Sequence, residues 1–261
     1  MVSAFIPCFT LIALLGAWNG LAQPVNLVPN PKPELPQAAP PPPPPNLSPE
    51  RRGDIYMARK MYREAIEMYK QAPQDSAVIW NKIGIAYHQM VQLDTAKKHY
   101  EKAIKINPKY SEAINNLGTV HYARKSYRRA INTYKKALRL TPKSASIHSN
   151  LGTAYFARKK YKQAFEAYQT ALSLDPEVFE HRSTYGVMLQ ERTVEERAKF
   201  HYYLARTYAK AGQLELALNY IRKALEEGFK EKQRLLEEPE FEKLRETAEF
   251  QALMKLEPKV L

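Results

Sequence analysis

One cysteine, Cys8, is all the thiol this 261-residue chain has. A disulfide framework and a thiolate metal site each need several, so both are excluded. Glycine is scarce, nine residues with no Gly/Ser tract, which argues against a flexible low-complexity protein. Acidic residues are outnumbered: 27 Asp and Glu against 40 Lys and Arg leave a formal net charge of +13. Enzyme signatures are missing too. None of His88, His99, His121, His148, His181 and His201 falls in an H-E-x-x-H pattern, and there is no G-x-G-x-x-G, phosphate loop or G-x-S-x-G elbow. A glycan hydrolase using two carboxylates carries no such motif, but the central part of the chain supplies few acids. No catalytic residue, metal or cofactor is expected.

Residues 1–22 contain no charged side chain. Phe5, Ile6, Phe9, Leu11, Ile12, Leu14, Leu15 and Trp18 form an apolar run that ends in Gly20-Leu21-Ala22, the layout of a secretory signal peptide cleaved after Ala22. An uncleaved membrane anchor is the alternative, since the run is near the lower limit for spanning a bilayer. Ile6-Pro7-Cys8 lacks the small residues of a lipoprotein signal. Localisation to the periplasm or secretion is therefore expected.

A proline-rich linker follows over residues 23–49, where 12 of the 19 prolines fall between residues 24 and 49 and Pro40 to Pro45 are consecutive. Proline fixes φ and removes the amide donor, so the segment reads as extended polyproline II, a spacer of up to about 80 Å. It serves as a tether, or as a docking site for an SH3-like or WW-like domain. No basic residue flanks the run to orient such a partner.

What dominates the rest is self-similarity. Gly84, Gly118 and Gly152 stand 34 residues apart. At fixed offsets beyond them come Ala96, Ala130 and Ala164, then Tyr100, Tyr134 and Tyr168, then Ala103, Ala137 and Ala171, then Pro108, Pro142 and Pro176. Small residues at helical spacing let two helices approach closely. The proline ends the second helix. Each unit is thus a helical hairpin without a complete core, and stacking supplies the remainder.

These columns resemble the tetratricopeptide repeat (TPR) family. The resemblance is carried by Trp80-Asn81-Lys82-Ile83-Gly84, Tyr87, Ala96, Tyr100, Ala103 and Pro108, and again by Asn116-Leu117-Gly118 with Tyr134 and Pro142 and by Asn150-Leu151-Gly152 with Tyr155, Tyr168 and Pro176. Gly53, Tyr56, Ala65, Tyr69 and Ala72 fit one unit earlier at a shortened period. Leu204, Ala205, Tyr208, Ala217 and Ala224 fit one unit later after extra residues. The resemblance implies an all-α fold, an α-solenoid of about five helical hairpins over residues 50–230. It also implies a groove of first helices that binds peptides or proteins, and a convex back of second helices.

An insertion near 179–197 precedes the last unit, and Thr193 is placed to cap a helix. The insertion reads as a connector on the edge of the stack, or as a segment whose Tyr185 to Leu189 reaches the groove. Residues 231–261 form a short C-terminal helical cap, marked by Phe241…Leu244 and Phe250…Leu253, that would cover the open face of the last unit.

The resemblance places Asn81, Lys82, His88, Asn115, Asn116, Thr119, Tyr122, Ser149, Asn150, Thr153 and Phe156 in the groove, with Ile85, Glu112 and Ser146 beside them. An Asn side chain can donate to and accept from a peptide backbone at once. Such a lining is also common in the family without a ligand to match. With Lys82 alone as a suitably placed cation, a carboxylate clamp is not expected. Residues 77–178 carry 18 Lys and Arg against 6 acids, and the positive field belongs to them. Lys98, Lys102, Arg124, Lys125, Arg128, Lys135, Lys136, Arg158, Lys159 and Lys160 fall on second helices or at the turns. They form a solvated face that aids solubility, or a surface for an anionic partner such as membrane lipid, cell-wall polymer or an acidic protein. Nucleic acid fits on charge alone, without a recognised motif. The functional expectation is a non-catalytic protein- or peptide-binding scaffold of the bacterial cell envelope. The alternative is association with an anionic surface through the basic back.

Overall fold

The computed structural model describes residues 41–180 and 193–255. The signal-like run, most of the proline-rich segment and the stretch Tyr185 to Leu189 lie outside the described residues. The chain divides into two units, residues 1–42 and 43–261, and every described helix belongs to the second.

Among the described residues the secondary structure is helical. Ten helices make five hairpins: α1 (Pro49–Ala58) with α2 (Tyr62–Lys70), α3 (Ala77–Gln89) with α4 (Leu93–Ile106), α5 (Ser111–Ala123) with α6 (Tyr127–Leu140), α7 (Ala145–Ala157) with α8 (Tyr161–Leu174), and α9 (Val194–Lys210) with α10 (Leu214–Glu226). Successive hairpins pack in chain order. Short helices α11 (Gln233–Glu237), α12 (Glu242–Arg245) and α13 (Ala248–Met254), with a 3-10 turn at Pro239–Phe241, complete it.

Each of the first four hairpins closes on one contact, a tyrosine ring of the second helix laid on a glycine of the first. A Cβ built on Gly84 would stand 2.6 Å from the Tyr100 ring, and one on Gly118 or Gly152 would stand 2.5 Å from Tyr134 or Tyr168. The alanine columns let the backbones come that close: Ala96, Ala103, Ala130, Ala137, Ala164 and Ala171 are all fully buried. In α6 the buried residues Ala130, Ile131, Tyr134 and Ala137 follow the helical period along one face.

The turn inside each hairpin has a feature the columns do not announce. Lys60, Val91, Lys125 and Lys159 take positive φ between 56° and 60°, and Gly212 does so at 78° in the fifth hairpin. Each sits just past a helix end. There Ser126 N–H donates to the carbonyl of His121 and Lys125 N–H to that of Tyr122, a Schellman closure repeated at the other turns.

The fifth hairpin begins with a capping box: Thr193 accepts from Glu196 N–H, and the Glu196 carboxylate accepts from Thr193 N–H. Residues 194–197 of the region read as an insertion are thus the first turn of α9. At its other end Phe179 packs edge-on against Tyr168 and Tyr208, 5.5 and 6.1 Å away. Glu180 accepts from the hydroxyls of Tyr208 and Tyr220 at 2.9 and 3.2 Å. Burial and this carboxylate push both phenols well above their ordinary range.

The C-terminal helices cover α9 and α10. Phe241, Leu244, Phe250 and Leu253, from the two F-x-x-L turns, are buried together with Leu235. Acids of this end hold them down. Arg206 pairs with Glu238 and Glu240 at 3.3 and 2.9 Å, and Arg234 with Glu238 at 2.8 Å. Burial alone would raise the Glu238 carboxyl. Hydrogen bonds from Tyr202 and Arg234, with Arg206 nearby, carry it below the usual carboxylate range.

Candidate functional site: the first-helix face and the basic second-helix face

The 34-residue period sets α3, α5 and α7 side by side, and amides of two adjacent columns meet across them. Asn150 Nδ2 donates to Asn115 Oδ1 at 3.1 Å. Asn115 Nδ2 donates to Asn116 Oδ1 at 3.4 Å, and Asn116 Nδ2 to Asn81 Oδ1 at 3.0 Å. Asn81 Nδ2 in turn reaches Glu112 Oε1 at 3.0 Å and the Tyr110 hydroxyl at 3.3 Å. All four asparagines are buried. Their hydrogen bonds satisfy groups that burial would otherwise penalise, and they tie three consecutive first helices together.

Lys82 is similarly engaged, with its ammonium 2.7 Å from Glu50 and 2.8 Å from Asp54 of the first hairpin. Burial lowers its pKa, but the hydrogen bonds to Asp54 and Glu50 outweigh that and raise it overall. Thr119 and Thr153 are buried and donate to carbonyls of their own helices, Asn116 and Ser149, at 2.7 and 3.0 Å. Phe156 is buried and faces the next hairpin, 5.5 Å from Phe200 and 5.8 Å from Tyr203. Half-exposed on this face are Lys82, His88, Tyr122 and Ser149, with Glu112 and Ser146 open to solvent. His88 lies edge-on to Tyr100, and burial lowers its pKa. Tyr122 leans on Tyr127 at 5.2 Å.

The ten basic residues of the second helices and turns are all exposed. Arg124 pairs with Asp94 at 2.7 Å, and Lys102 sits 3.3 Å over the Trp80 ring. Four of the ten come together. Arg128 and Lys135 of α6 and Arg158 and Lys160 of the α7–α8 turn line one cleft of about 310 Å³. Buried Ile131 and Tyr155 also line it, as do the exposed amides of Asn132 and Gln163. Among the described residues none of the four cations has an acidic partner. The lining by Ile131, Asn132, Tyr155 and Gln163 was not legible from single residues, although comparing positions one period apart brings Asp94 and Arg128 into the same column.

His121 stands in the column of Tyr87 and Tyr155, and His148 in that of Trp80. His148 Nε2 lies 2.9 Å from the Pro142 carbonyl, as Trp80 Nε1 donates at 2.7 Å to that of Gln74 in the equivalent place. Among the described residues no group of three or more His, Cys, Asp or Glu is arranged to hold a metal, and no helix is long and apolar enough to cross a membrane.

Comparison with known proteins finds four sequence families described as TPR or tetratricopeptide repeat. They match residues 77–110 and 145–178, 99–132, 118–157 and 198–227. A chloroplastic tetratricopeptide repeat domain-containing protein of Arabidopsis thaliana, PYG7, is 33% identical over 75 residues, which is 29% of this chain and 25% of that protein. Photosystem I assembly protein Ycf3 of Synechococcus elongatus is 33% identical over 67 residues, 23% of this chain and 39% of that one. The chain therefore spans less than half the length of these curated relatives. Among solved structures, MamA from Desulfovibrio magneticus RS-1 aligns with a TM-score of 0.48 at 19% identity over 76% of this chain and 96% of that one, a likeness of fold alone.

Proposed function

The chain belongs to the tetratricopeptide repeat family, and on that premise we propose that it is a non-catalytic scaffold that holds another protein or peptide on its first-helix face. The observation that carries this reading is the stack itself: hairpins in register present a continuous row of equivalent side chains, a surface suited to an extended partner. With the asparagines engaged in one another, a partner meets His88, Tyr122, Ser149, Glu112 and Ser146. Tyr122 supplies the large amphipathic contact among them. Ycf3 is named for the assembly of a protein complex, which accords with a scaffold.

Photo-crosslinking tests the reading. A benzophenone side chain placed at Tyr122 in the producing cell should join to one dominant protein, and one placed at Lys136 should not. The reverse pattern would discard the groove and leave the basic face as the binding surface. That second reading, association with an anionic surface, draws on the exposed cations, of which Arg124 alone is in an ion pair among the described residues. Such binding weakens steeply as ionic strength rises, whereas groove binding changes little.

We also propose that the protein lies outside the cytoplasm, a reading that rests on the uncharged apolar run of residues 1–22. Mass spectrometry should find the mature chain starting at Gln23. A retained Met1 would favour the anchored alternative.

A further inference from the structure

The residues lining the cleft between the third and fourth hairpins have equivalents one period earlier, between the second and third, and the two sets differ in charge. At the earlier junction Asp94 pairs with Arg124 at 2.7 Å and Lys97 with Glu101 at 3.4 Å. Counting on 34 residues, Arg128 stands in the place of Asp94 and Lys135 in that of Glu101, while Arg158 keeps the place of Arg124. Both acids have become bases, and Lys160 adds another where the earlier junction has Ser126. At the earlier junction the two acids offset two of the four cations Lys97, Lys98, Arg124 and Arg129. The later one gathers four like charges around one opening and leaves their repulsion uncompensated within the described residues.

We propose that this cleft binds a short acidic segment of a partner protein, with its carboxylates on Arg128 and Arg158 and an apolar side chain against Ile131 and Tyr155. Guanidinium groups match carboxylates as two-pronged donors, which favours arginine at the two central positions. The recess and the amides of Asn132 and Gln163 favour a peptide over a bilayer. Amides satisfy a backbone's donors and acceptors together, whereas a headgroup plane needs no recess. The site rests on the scaffold reading only in taking a protein as its partner. It uses second-helix and turn residues and is independent of Tyr122.

The test uses the full chain and a fluorescein-labelled peptide Glu-Glu-Leu-Glu-Glu, with its Gln-Gln-Leu-Gln-Gln counterpart and phosphatidylglycerol vesicles as competitors for identity. The acidic peptide should bind once per chain and the amide peptide should not. Arg128→Asp/Lys135→Glu, which copies the charges of the earlier junction onto exposed positions, should weaken binding by about tenfold or more. Equal binding of the amide peptide overturns the proposal, as does an affinity that Arg128→Asp/Lys135→Glu leaves unchanged. Vesicle binding that this variant abolishes, without peptide binding by the wild type, also overturns it and assigns the cleft to lipid. None of these outcomes depends on crosslinking at Tyr122, so the scaffold reading stands or falls separately.

Discussion

The three junctions between α3, α5, α7 and α9 are made in two ways. From α3 to α7 the first helices are tied by buried carboxamides, through Asn81–Asn116 and Asn115–Asn150. From α7 to α9 there is no such tie among the described residues. Phe156 meets Phe200 and Tyr203 instead, and Tyr161 stacks on Tyr203 at 5.1 Å. Residue identity explains the difference. Both amide pairs join the same two columns across a junction, and where the pattern reaches α9 those columns hold Ser149 and Tyr203 instead of asparagines. A short polar side chain demands a fixed partner position. An aromatic cluster tolerates a change of register, because area rather than direction supplies most of its stabilisation.

The largest blow to this contrast is Phe156→Ala. Removing a buried ring with three aromatic neighbours should cost about 3–5 kcal/mol and loosen α9 and α10 ahead of α3 to α7. Hydrogen exchange would show which hairpins open, and uniform loss across all five would dissolve the distinction. Asn116→Ala acts on the other side. It removes the acceptor of Asn115 and the donor to Asn81, and should cost about 1–3 kcal/mol because the groups left behind stay buried. In a double-mutant cycle with Asn81→Ala, a coupling near zero would mean that the amide tie contributes nothing. The smallest effect lies in the turns. Val91→Gly relieves a β-branched residue at positive φ and should stabilise by about 0.5–1 kcal/mol, while Gly212→Ala, with open space around it, should destabilise by about 1 kcal/mol through backbone strain alone. Thermal melts of the two would sharpen the comparison between the regular repeats and the last one.

The hairpins were legible in the sequence because the Gly–Tyr and Ala columns are each a local requirement repeated at one offset. What the columns do not reveal is which repeated residue meets which across a junction. Asn81 bonds to Asn116, a member of a different column, so the asparagines read as ligand hooks until their burial is known. Phe156 misleads in the same way: its column position matches that of Tyr122, yet it is buried against Phe200 while Tyr122 stays half-exposed. The cleft cations were legible as a charge excess, but their convergence on one opening depends on α6 lying beside the α7–α8 turn. The acids of the C-terminal end stand out in composition, and only the fold shows that Glu238 and Glu240 serve to anchor on Arg206.

The carboxamide row has an orientation. Every N–H in it is handed the same way, from Asn150 through Asn115 and Asn116 to Asn81, and the last is taken by the carboxylate of Glu112. The small dipoles therefore add, each link polarising the next, with an anion seated at the positive terminus. A helix face that looks electrically bland by composition is thereby a directed wire, and a change at Glu112 will be felt at Asn150, in the next hairpin.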